Sequence, residues 1–533
     1  MKLKYMLPCA AAVLTLGFTS CIGDLDVEPI DPSTVMTVDA VGLFNKCYAN
    51  LGMAGNGGAN GDCDIEGLDG GTTGFVRQLF NANELTTDEA ICCWGDEGIP
   101  AFNYNQYDAS HPMLRGFYYR LLMGVTYCNH YLDPEVCGNY DKTMTAEIRF
   151  LRALYYYYLM DCFGNVPFLT KLSSDNAPQA SRAEVYKFIE DELLAVRGDM
   201  LPPAARKFGE VGYGRADRDA ADLLLARLYL NAEVYTGTPQ WEKARDYAKI
   251  VKDGPHKLNT QGLNGYSAYQ MLFMGDNGET SASSEAILAV LQDGVTTTSW
   301  GTTLFLLAST TKSDMGSFGT SEYWAGNRCR PNFVEKFLGE GKASAAEGKT
   351  TAEILALAGD DRALLYGKDR TASIDKPGEF TSGISCAKFS NNYASLGTPH
   401  NSKFVDTDFF LMRSAEAYLI YAEADARLNS GQTTTEGTKA IDALRSRAHT
   451  STAPTYSLNF ILDERARELF YEGFRRTDLV RYGQFGGMNA TYNWQWKGGV
   501  QTGIRFDDHL NIFAIPYDDL EANKENLKQN PGY

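Results

Sequence analysis

Residues 145–170 carry the clearest helical pattern of the chain. Apolar side chains recur there at the spacing of one helical face, namely at Ile148, Leu151, Tyr155, Tyr158, Leu159 and Cys162. Thr143 or Thr145 is predicted to cap the start of the helix, and Gly164, followed by Pro167, to end it. The four tyrosines at 155–158 turn through roughly 300° around the axis, at about 100° per residue. We therefore predict an inner helix that other helices enclose, in which each hydroxyl reaches a polar partner or solvent.

Further segments repeat the pattern and predict an all-α fold. Helices are predicted over residues 40–51, 114–132, 182–194, 216–233, 409–428 and 460–481. The helices that begin at 216 and 409 each start a helical hairpin with alanines at close contacts, which is typical of tetratricopeptide-like units, although neither carries that repeat's full consensus. Between them, residues of about 254–404 form a loop-rich, partly irregular insertion in a helical scaffold of about 36–253 and 405–485.

Residues 1–20 are predicted to be a lipoprotein signal peptide, which leaves 21–533 as the mature protein. Lys2 and Lys4 precede a short apolar stretch, and residues 18–21 resemble a lipobox in which Cys21 is acylated. The motif departs from the common form because Phe18, not Leu, stands three residues before the cysteine. The alternative is an ordinary secreted protein that is cleaved nearby. No later stretch has 18 or more consecutive apolar residues, so the sequence predicts no membrane-spanning helix.

Several motifs along the chain resemble the SusD/RagB family of Bacteroidetes outer-membrane lipoproteins. In the central helix they comprise Glu147, Arg149, Phe150, Leu151, Arg152, Ala153 and Tyr157, followed by Phe163-Gly164-Asn165-Val166-Pro167. Later ones follow in the family's order, at 332–337, 359–362, 413–419, 461–469 and 472–479, and the chain closes on Gln529-Asn530-Pro531-Gly532-Tyr533. Acidic residues after the lipobox are similar to the surface-export signal of such lipoproteins: Asp24, Asp26 and Glu28. The resemblance covers nearly the whole mature chain.

This resemblance implies a protein at the outer face of the outer membrane that captures an oligosaccharide without cleaving it. Its implied partner is a SusC-like TonB-dependent transporter, which imports the ligand. Two other functions remain open, a lipoprotein glycoside hydrolase and a helical-repeat scaffold for a peptide or protein. The net charge of −18 argues against nucleic acid as a partner.

Loop aromatics are the candidate ligand-binding residues, because sugars present apolar faces and hydroxyl groups. The candidates lie in two regions that match the family's aromatic loops in order: Trp94, Asp96, Trp300, Tyr323, Trp324, Asn327 and Arg328. The alternative for each ring is that it fills a gap in the scaffold. Trp241 lies on a helix stripe and is predicted to be a core residue, whereas Trp494 and Trp496 could equally face the transporter.

Other polar clusters receive structural interpretations. Asp62, Asp64, Glu66 and Asp69 alternate with glycines like a calcium loop, but their spacing departs from the EF-hand, and solvated turn acids are favoured. The charged residues at 464–478 are predicted to form ion pairs along one helix, pairing Glu464 with Arg467, Glu468 with Arg465, and Glu472 with Arg475 and Arg476.

The cysteines and histidines suggest neither a metal nor a cofactor. Nine cysteines remain after Cys9 and Cys21, an odd number without zinc-ligand spacing. Most are interpreted as small buried hydrophobic residues, and a disulfide stays open. The sequence contains neither an HExxH nor a GxSxG motif, so it offers no enzyme signature of these kinds.

Overall fold

A computed structural model describes residues 38–61, 63–137 and 141–533. The predicted signal peptide, Cys21 and Asp62 lie outside the described residues. Within these residues the α-helices are α1 (Ala40–Ala49), α2 (Phe75–Phe80), α3 (Ile99–Asn103), α4 (Pro112–Tyr131), α5 (Lys142–Phe163), α6 (Arg182–Val196), α7 (Arg218–Leu230), α8 (Ala232–Thr236), α9 (Trp241–Asp253), α10 (Thr303–Ala308), α11 (Pro331–Leu338), α12 (Thr351–Ala358), α13 (Ser414–Leu428), α14 (Thr435–Arg447), α15 (Leu458–Leu469), α16 (Arg475–Arg481) and α17 (Tyr517–Ala522).

Short strands supplement the helices. They are β1 (Ala90–Cys92), β2 (Val166–Pro167), β3 (Gln179–Ala180), β4 (Ala286–Val290), β5 (Asn327–Cys329), β6 (Leu365–Tyr366), β7 (Ile384–Cys386) and β8 (Phe409–Arg413). In the described part of the chain they form an antiparallel sheet of order β1-β5-β7-β6 and two antiparallel pairs, β2-β3 and β4-β8. The fold is therefore mostly helical, as predicted, but the all-α class needs these small sheets added to it.

Helix α5 is the predicted inner helix. The side chain of Asp141 accepts a hydrogen bond from the backbone N–H of Met144 (2.9 Å) and caps the helix, so the prediction of a threonine cap was wrong. Asp141 is the better cap because its carboxylate also carries negative charge at the positive end of the helix dipole. Gly164 has φ +72° and ends the helix, as predicted.

The tyrosines at 155–158 are all buried. The Tyr155 hydroxyl donates to the carbonyl of Cys47 (2.9 Å) and the Tyr156 hydroxyl to that of Leu169 (2.8 Å). Helices α4, α6, α1 and α7 pack against α5. The prediction of an enclosed helix whose hydroxyls reach polar partners is confirmed for these two residues.

Two predicted helices have different bounds in the structure. The segment 409–428 begins as strand β8, which pairs with β4, and becomes helical only at Ser414. The segment 460–481 is two helices, because Tyr471 (φ +65°) and Gly473 (φ +88°) break it. The backbone N–H of Gly473 donates to Oε1 of Glu84 (2.6 Å), so a contact distant in sequence stabilises the break.

The hairpin regions lie side by side in the scaffold. Helix α9 packs against both α7 and α13, and α14 packs against α13. Trp241, at the start of α9, packs against the core as predicted, but it is only partly buried and lies under the Arg427 guanidinium at 4.4 Å. Among the described helices, none is long and apolar enough to cross a lipid bilayer.

The charged residues at 464–478 form a buried network and not a series of pairs along one helix. Glu464 does pair with Arg467 (2.6 Å), but Arg465 pairs with Asp478 (2.7 Å). Glu468 and Glu472 both pair with Arg413 (2.7 Å each). The predicted partner of Glu464 is confirmed, whereas those of Glu468 and Glu472 were wrong. For Glu472 the break at 470–474 ends the helical spacing on which its predicted pairs depended.

Buried arginines determine the charge state of this network. Burial alone would raise the pKa of Glu464, but Arg362, Arg467 and Arg445 lower it to about 2. Arg475 pairs with Asp88 at 2.6 Å and so joins this network to the segment before β1. The network is structural, which agrees with the interpretation from the sequence.

Candidate functional site

The sheet β1-β5-β7-β6 brings together two aromatic loops that are distant in sequence. Cys92 at the end of β1 stands opposite Asn327 at the start of β5. Because the strands are antiparallel, Trp94 follows β1 and Trp324 precedes β5 at the same edge of the sheet. The backbone of Trp324 is fixed by donation to the carbonyl of Ala308 (2.7 Å).

Three partly exposed indoles meet at this edge: Trp94, Trp324 and Trp300, which we name the tryptophan arc. The ring centroids of Trp94 and Trp324 are 6.5 Å apart with planes tilted by 52°. Those of Trp324 and Trp300 are 6.1 Å apart with a tilt of 43°. Trp324 is the middle ring, and the three planes turn from one to the next.

Polar contacts fix two of the three rings of the arc, Trp324 and Trp300. The Nε1–H of Trp324 donates to Oε2 of Glu322 (2.8 Å), and that of Trp300 donates to the carbonyl of Ala59 (3.0 Å). The Lys403 ammonium lies 4.6 Å from the centroid of the Trp300 ring and 3.8 Å from the Glu322 carboxylate. The N–H groups of Trp324 and Trp300 are therefore already paired, and these two indoles offer their ring faces to a ligand.

Arg77 lies behind Trp94 and was not predicted as part of the site. Its guanidinium carbon is 5.9 Å from the Trp94 ring and 5.0 Å from that of Phe305. Burial lowers the pKa of Arg77 below its ordinary value. A signal was present, because Arg77 is the one charged residue of the segment Phe75–Phe80.

Two other predicted residues, Asp96 and Tyr323, lie in the same loops. Asp96 is exposed two residues beyond Trp94. The hydroxyl of Tyr323 contacts the backbone N–H of Phe318 (3.3 Å) and the carbonyl of Gly316 (3.4 Å). Tyr323 therefore contributes to the loop that carries Trp324.

Asn327 and Arg328 lie in β5 and are completely buried. The Asn327 amide donates to Oγ of Ser309 (2.8 Å). Arg328 donates to the carbonyls of Ser382 (3.1 Å) and Pro377 (2.7 Å). Their side chains hold the sheet and its neighbouring loops together, so we do not include them in the ligand surface. Their positions beside Trp324 in the sequence gave no indication of this burial.

The glycine-rich loop of residues 52–74 borders the arc. Its Ala59 accepts from Trp300 and donates its own N–H to Oγ1 of Thr298 (3.2 Å). A cavity of about 120 Å³ beside Trp300 is lined by this loop, including Asp69. The long loop therefore supports one end of the ligand surface.

One acid of this loop, Asp64, has structural partners. Asp64 pairs with Arg120 (2.7 Å) and Lys46 (3.3 Å) and accepts from the Tyr127 hydroxyl (2.9 Å), so the interpretation as a solvated turn acid was wrong for it. The basic groups compensate its burial. Across the described ranges there is no group of three or more side chains that could hold a metal ion. Each of the nine cysteines described is a free thiol, and six of them are buried.

Partly exposed rings with hydroxyl-binding groups at their rim suit a ligand with apolar faces and many hydroxyls. This surface, on a helical scaffold, is typical of glycan-binding proteins.

The SusD family model matches residues 332–533. The starch-binding protein SusD of Bacteroides thetaiotaomicron is 38% identical over the full length of both chains. The SusD-like protein P2 of Formosa agariphila is 24% identical over 74% of each.

Solved structures share the fold. Surface glycan-binding protein A from Bacteroides fluxus is 21% identical, with a TM-score of 0.66 over 93% of this chain and 100% of its own. A laminarin-binding SusD-like protein is 22% identical, with a TM-score of 0.63 over 93% and 99%. The chain belongs to the SusD family, as its motifs predicted. Membership makes it a glycan-binding protein that binds without catalysis.

Proposed function

We propose that this protein is an outer-membrane lipoprotein that binds a starch-type α-glucan on the tryptophan arc and passes it to a SusC-like TonB-dependent transporter. We choose an α-glucan as the ligand because the planes of successive indoles are tilted by 52° and 43°. A coiled α-1,4-linked chain presents sugar faces that turn from ring to ring, whereas an extended β-1,4-linked chain presents faces that stay nearly flat. The 38% identity to the starch-binding protein SusD supports the same choice.

The lipid anchor and the orientation toward the cell exterior belong to this proposal. They rest on the lipobox-like residues 18–21 and on the acidic residues that follow. Incorporation of a labelled fatty acid into the protein, and its loss in Cys21→Ala, would support the anchor. Release of the unlabelled variant from the membrane is the expected consequence.

The proposed scaffold and the proposed insertion both contribute tryptophans to the arc. We propose that Trp94 comes from the scaffold of about 36–253, whereas Trp300 and Trp324 come from the insertion of about 254–404. The comparison of the α7–α9 and α13–α14 regions with tetratricopeptide units remains part of this proposal.

Isothermal titration with maltooligosaccharides, laminarin oligosaccharides and cellooligosaccharides tests the function. We expect binding of the maltooligosaccharides and a loss of at least about tenfold in affinity, near 1.4 kcal/mol, in Trp324→Ala. Release of reducing ends is measured in parallel, and none is expected. Preference for either β-linked series, or unchanged affinity in a folded Trp324→Ala variant, would overturn the proposal.

A further inference from the structure

Outside the tryptophan arc, a second pair of partly exposed rings lies on the surface. The ring centroids of Tyr104 and Trp496 are 5.6 Å apart, with planes tilted by 49°. The Nε1–H of Trp496 donates to the carbonyl of Ile374 (2.8 Å), which fixes the indole and leaves its face available. The neighbouring Trp494 is buried and belongs to the core.

The backbone around Trp496 has an unusual conformation for so large a side chain. Trp496 has φ +69°, a left-handed conformation that bulky residues rarely adopt. Gly498 and Gly499 follow with φ +64° and +82°. A sharp left-handed turn of this kind places the indole against Tyr104.

The residues on either side of Trp496 in the sequence line an open groove, whose walls are apolar at Pro331 and Trp494 and polar elsewhere. It has a volume of about 420 Å³ and is lined by Asn332, Asn493, Gln495, Gln501 and Thr502, among others. Asn493, Gln501 and Thr502 are exposed. Amide and hydroxyl groups can both donate to and accept from sugar hydroxyls. Here, as at the tryptophan arc, partly exposed aromatic rings lie next to polar groups that can bind sugar hydroxyls.

Two hydrogen bonds between Asn103 and Cys92 hold together the segments that carry Trp94 and Tyr104. The Asn103 side chain accepts from the N–H of Cys92 (3.0 Å) and donates to its carbonyl (2.8 Å). Trp94 lies two residues after Cys92, and Tyr104 one residue after Asn103. At about 3.8 Å per residue step, the Cα atoms of Trp94 and Tyr104 lie within roughly 17 Å of each other.

Arg328 makes a second connection between the sites. Its Nη1 donates to the carbonyl of Gly326 (3.3 Å), which lies against the Trp94 ring. Its Nη2 donates to the carbonyl of Pro377 (2.7 Å), three residues from Ile374, which binds Trp496. One buried side chain thus ties the loops of both aromatic sites together.

We propose that Tyr104 and Trp496 form a second sugar-binding platform, which with the adjoining amide groove takes the part of a long glycan chain that extends beyond the tryptophan arc. The inference rests on the proposed function, since it assigns more of the same ligand. Under this proposal a long glycan chain occupies both the arc and the second platform, whereas a short oligosaccharide occupies the arc alone.

Affinity is measured by titration with α-glucans of increasing length, from maltotriose to amylose fragments, for the wild type, Tyr104→Ala and Trp496→Gly. Glycine suits the positive φ at 496, so Trp496→Gly removes the ring without straining the backbone. We expect both variants to bind the shortest glucans like the wild type and to lose about tenfold for the longest. Phe208→Ala, which removes another exposed ring, is the matched control and keeps full affinity at every length.

Hydrogen exchange of the unmodified protein gives an independent readout. Amides of residues 493–504 should exchange more slowly with long glucans than with maltotriose. Equal affinity of both variants and the wild type at all lengths, or an equal loss at all lengths, would overturn the second platform. Failure of the proposed function differs from this, because it appears as absent wild-type binding or as an intact affinity in Trp324→Ala.

Discussion

A Cβ atom added to Gly326 would lie 2.3 Å from Cε2 of Trp94, because the backbone of Gly326 runs directly against the indole. Real Cβ atoms do not approach other atoms so closely, so the ring and the backbone can keep this arrangement only around a glycine. Gly326 also immediately precedes β5 and lies two residues from Trp324. One residue without a side chain therefore allows both aromatic loops to approach at the sheet edge.

Gly326→Ala should displace Trp94 and lower glycan affinity by about tenfold or more, while overpacking reduces stability by about 1–3 kcal/mol. Titration calorimetry and chemical denaturation measure the two effects. Gly95→Ala is the control, since a Cβ there would meet nothing within 4 Å. If Gly326→Ala bound glycan as tightly as Gly95→Ala, the position of Trp94 would not matter to binding.

Glu322 orients the middle ring of the arc by accepting from Nε1 of Trp324. Glu322→Ala should leave that indole mobile, and ordering one side chain on binding costs about 0.5–1.5 kcal/mol, or roughly fivefold in affinity. Glu322→Gln keeps an acceptor and should lose less. Equal affinities in the two variants would show that the hydrogen bond does not position the ring.

The sequence predicted those features that depend on residues close together in the chain. Helix α5 was found from its spacing, and its end at Gly164 from the residue that best tolerates a positive φ. Trp94, Trp300 and Trp324 were selected as loop aromatics near polar residues, and the structure brings these three together. Whether they bind a glycan stays a prediction.

What the sequence did not reveal depends on contacts between distant residues. The break after α15 is stabilised by Glu84, nearly four hundred residues earlier, so local periodicity continued through it. Arg328 appeared to be a polar loop residue, yet its strand partners in β1 and β7 bury it. Arg77 was hidden by its apolar neighbours, because only the fold places Trp94 and Phe305 over its guanidinium.

Arg413 is central to the buried charge network, since it pairs with Glu285 (3.1 Å), Glu468 (2.7 Å) and Glu472 (2.7 Å). Arg413→Met would leave these carboxylates with less compensation in the interior, and losing one partner of a buried pair costs about 3–5 kcal/mol. Lys187→Met breaks the exposed pair with Asp191 and should change stability by less than about 0.5 kcal/mol. Urea denaturation compares the two, and similar small losses would contradict a structural role for the network.

His111 should make folding stability depend on pH, because the fold holds its imidazole neutral. Nδ1 accepts from the N–H of Leu114 (3.1 Å), and Nε2 lies 3.0 Å from the carbonyl of Gly98, to which it must donate. Burial lowers the pKa of His111 from 6.5 to about 4. The unfolded chain therefore takes up a proton below pH 6.5 that the folded chain refuses until about pH 4.

The stabilisation from neutral His111 is complete above pH 6.5 and is lost as the pH falls toward 4. A pKa difference of this size corresponds to about 3 kcal/mol. His111→Asn keeps a helix-capping acceptor but does not titrate. The stability of the wild type relative to this variant should therefore fall by about 2–3 kcal/mol between about pH 7.5 and about pH 4.5, measured by urea denaturation. Comparing the two proteins cancels the other titrating groups, and a pH-independent difference would mean that His111 is not held neutral.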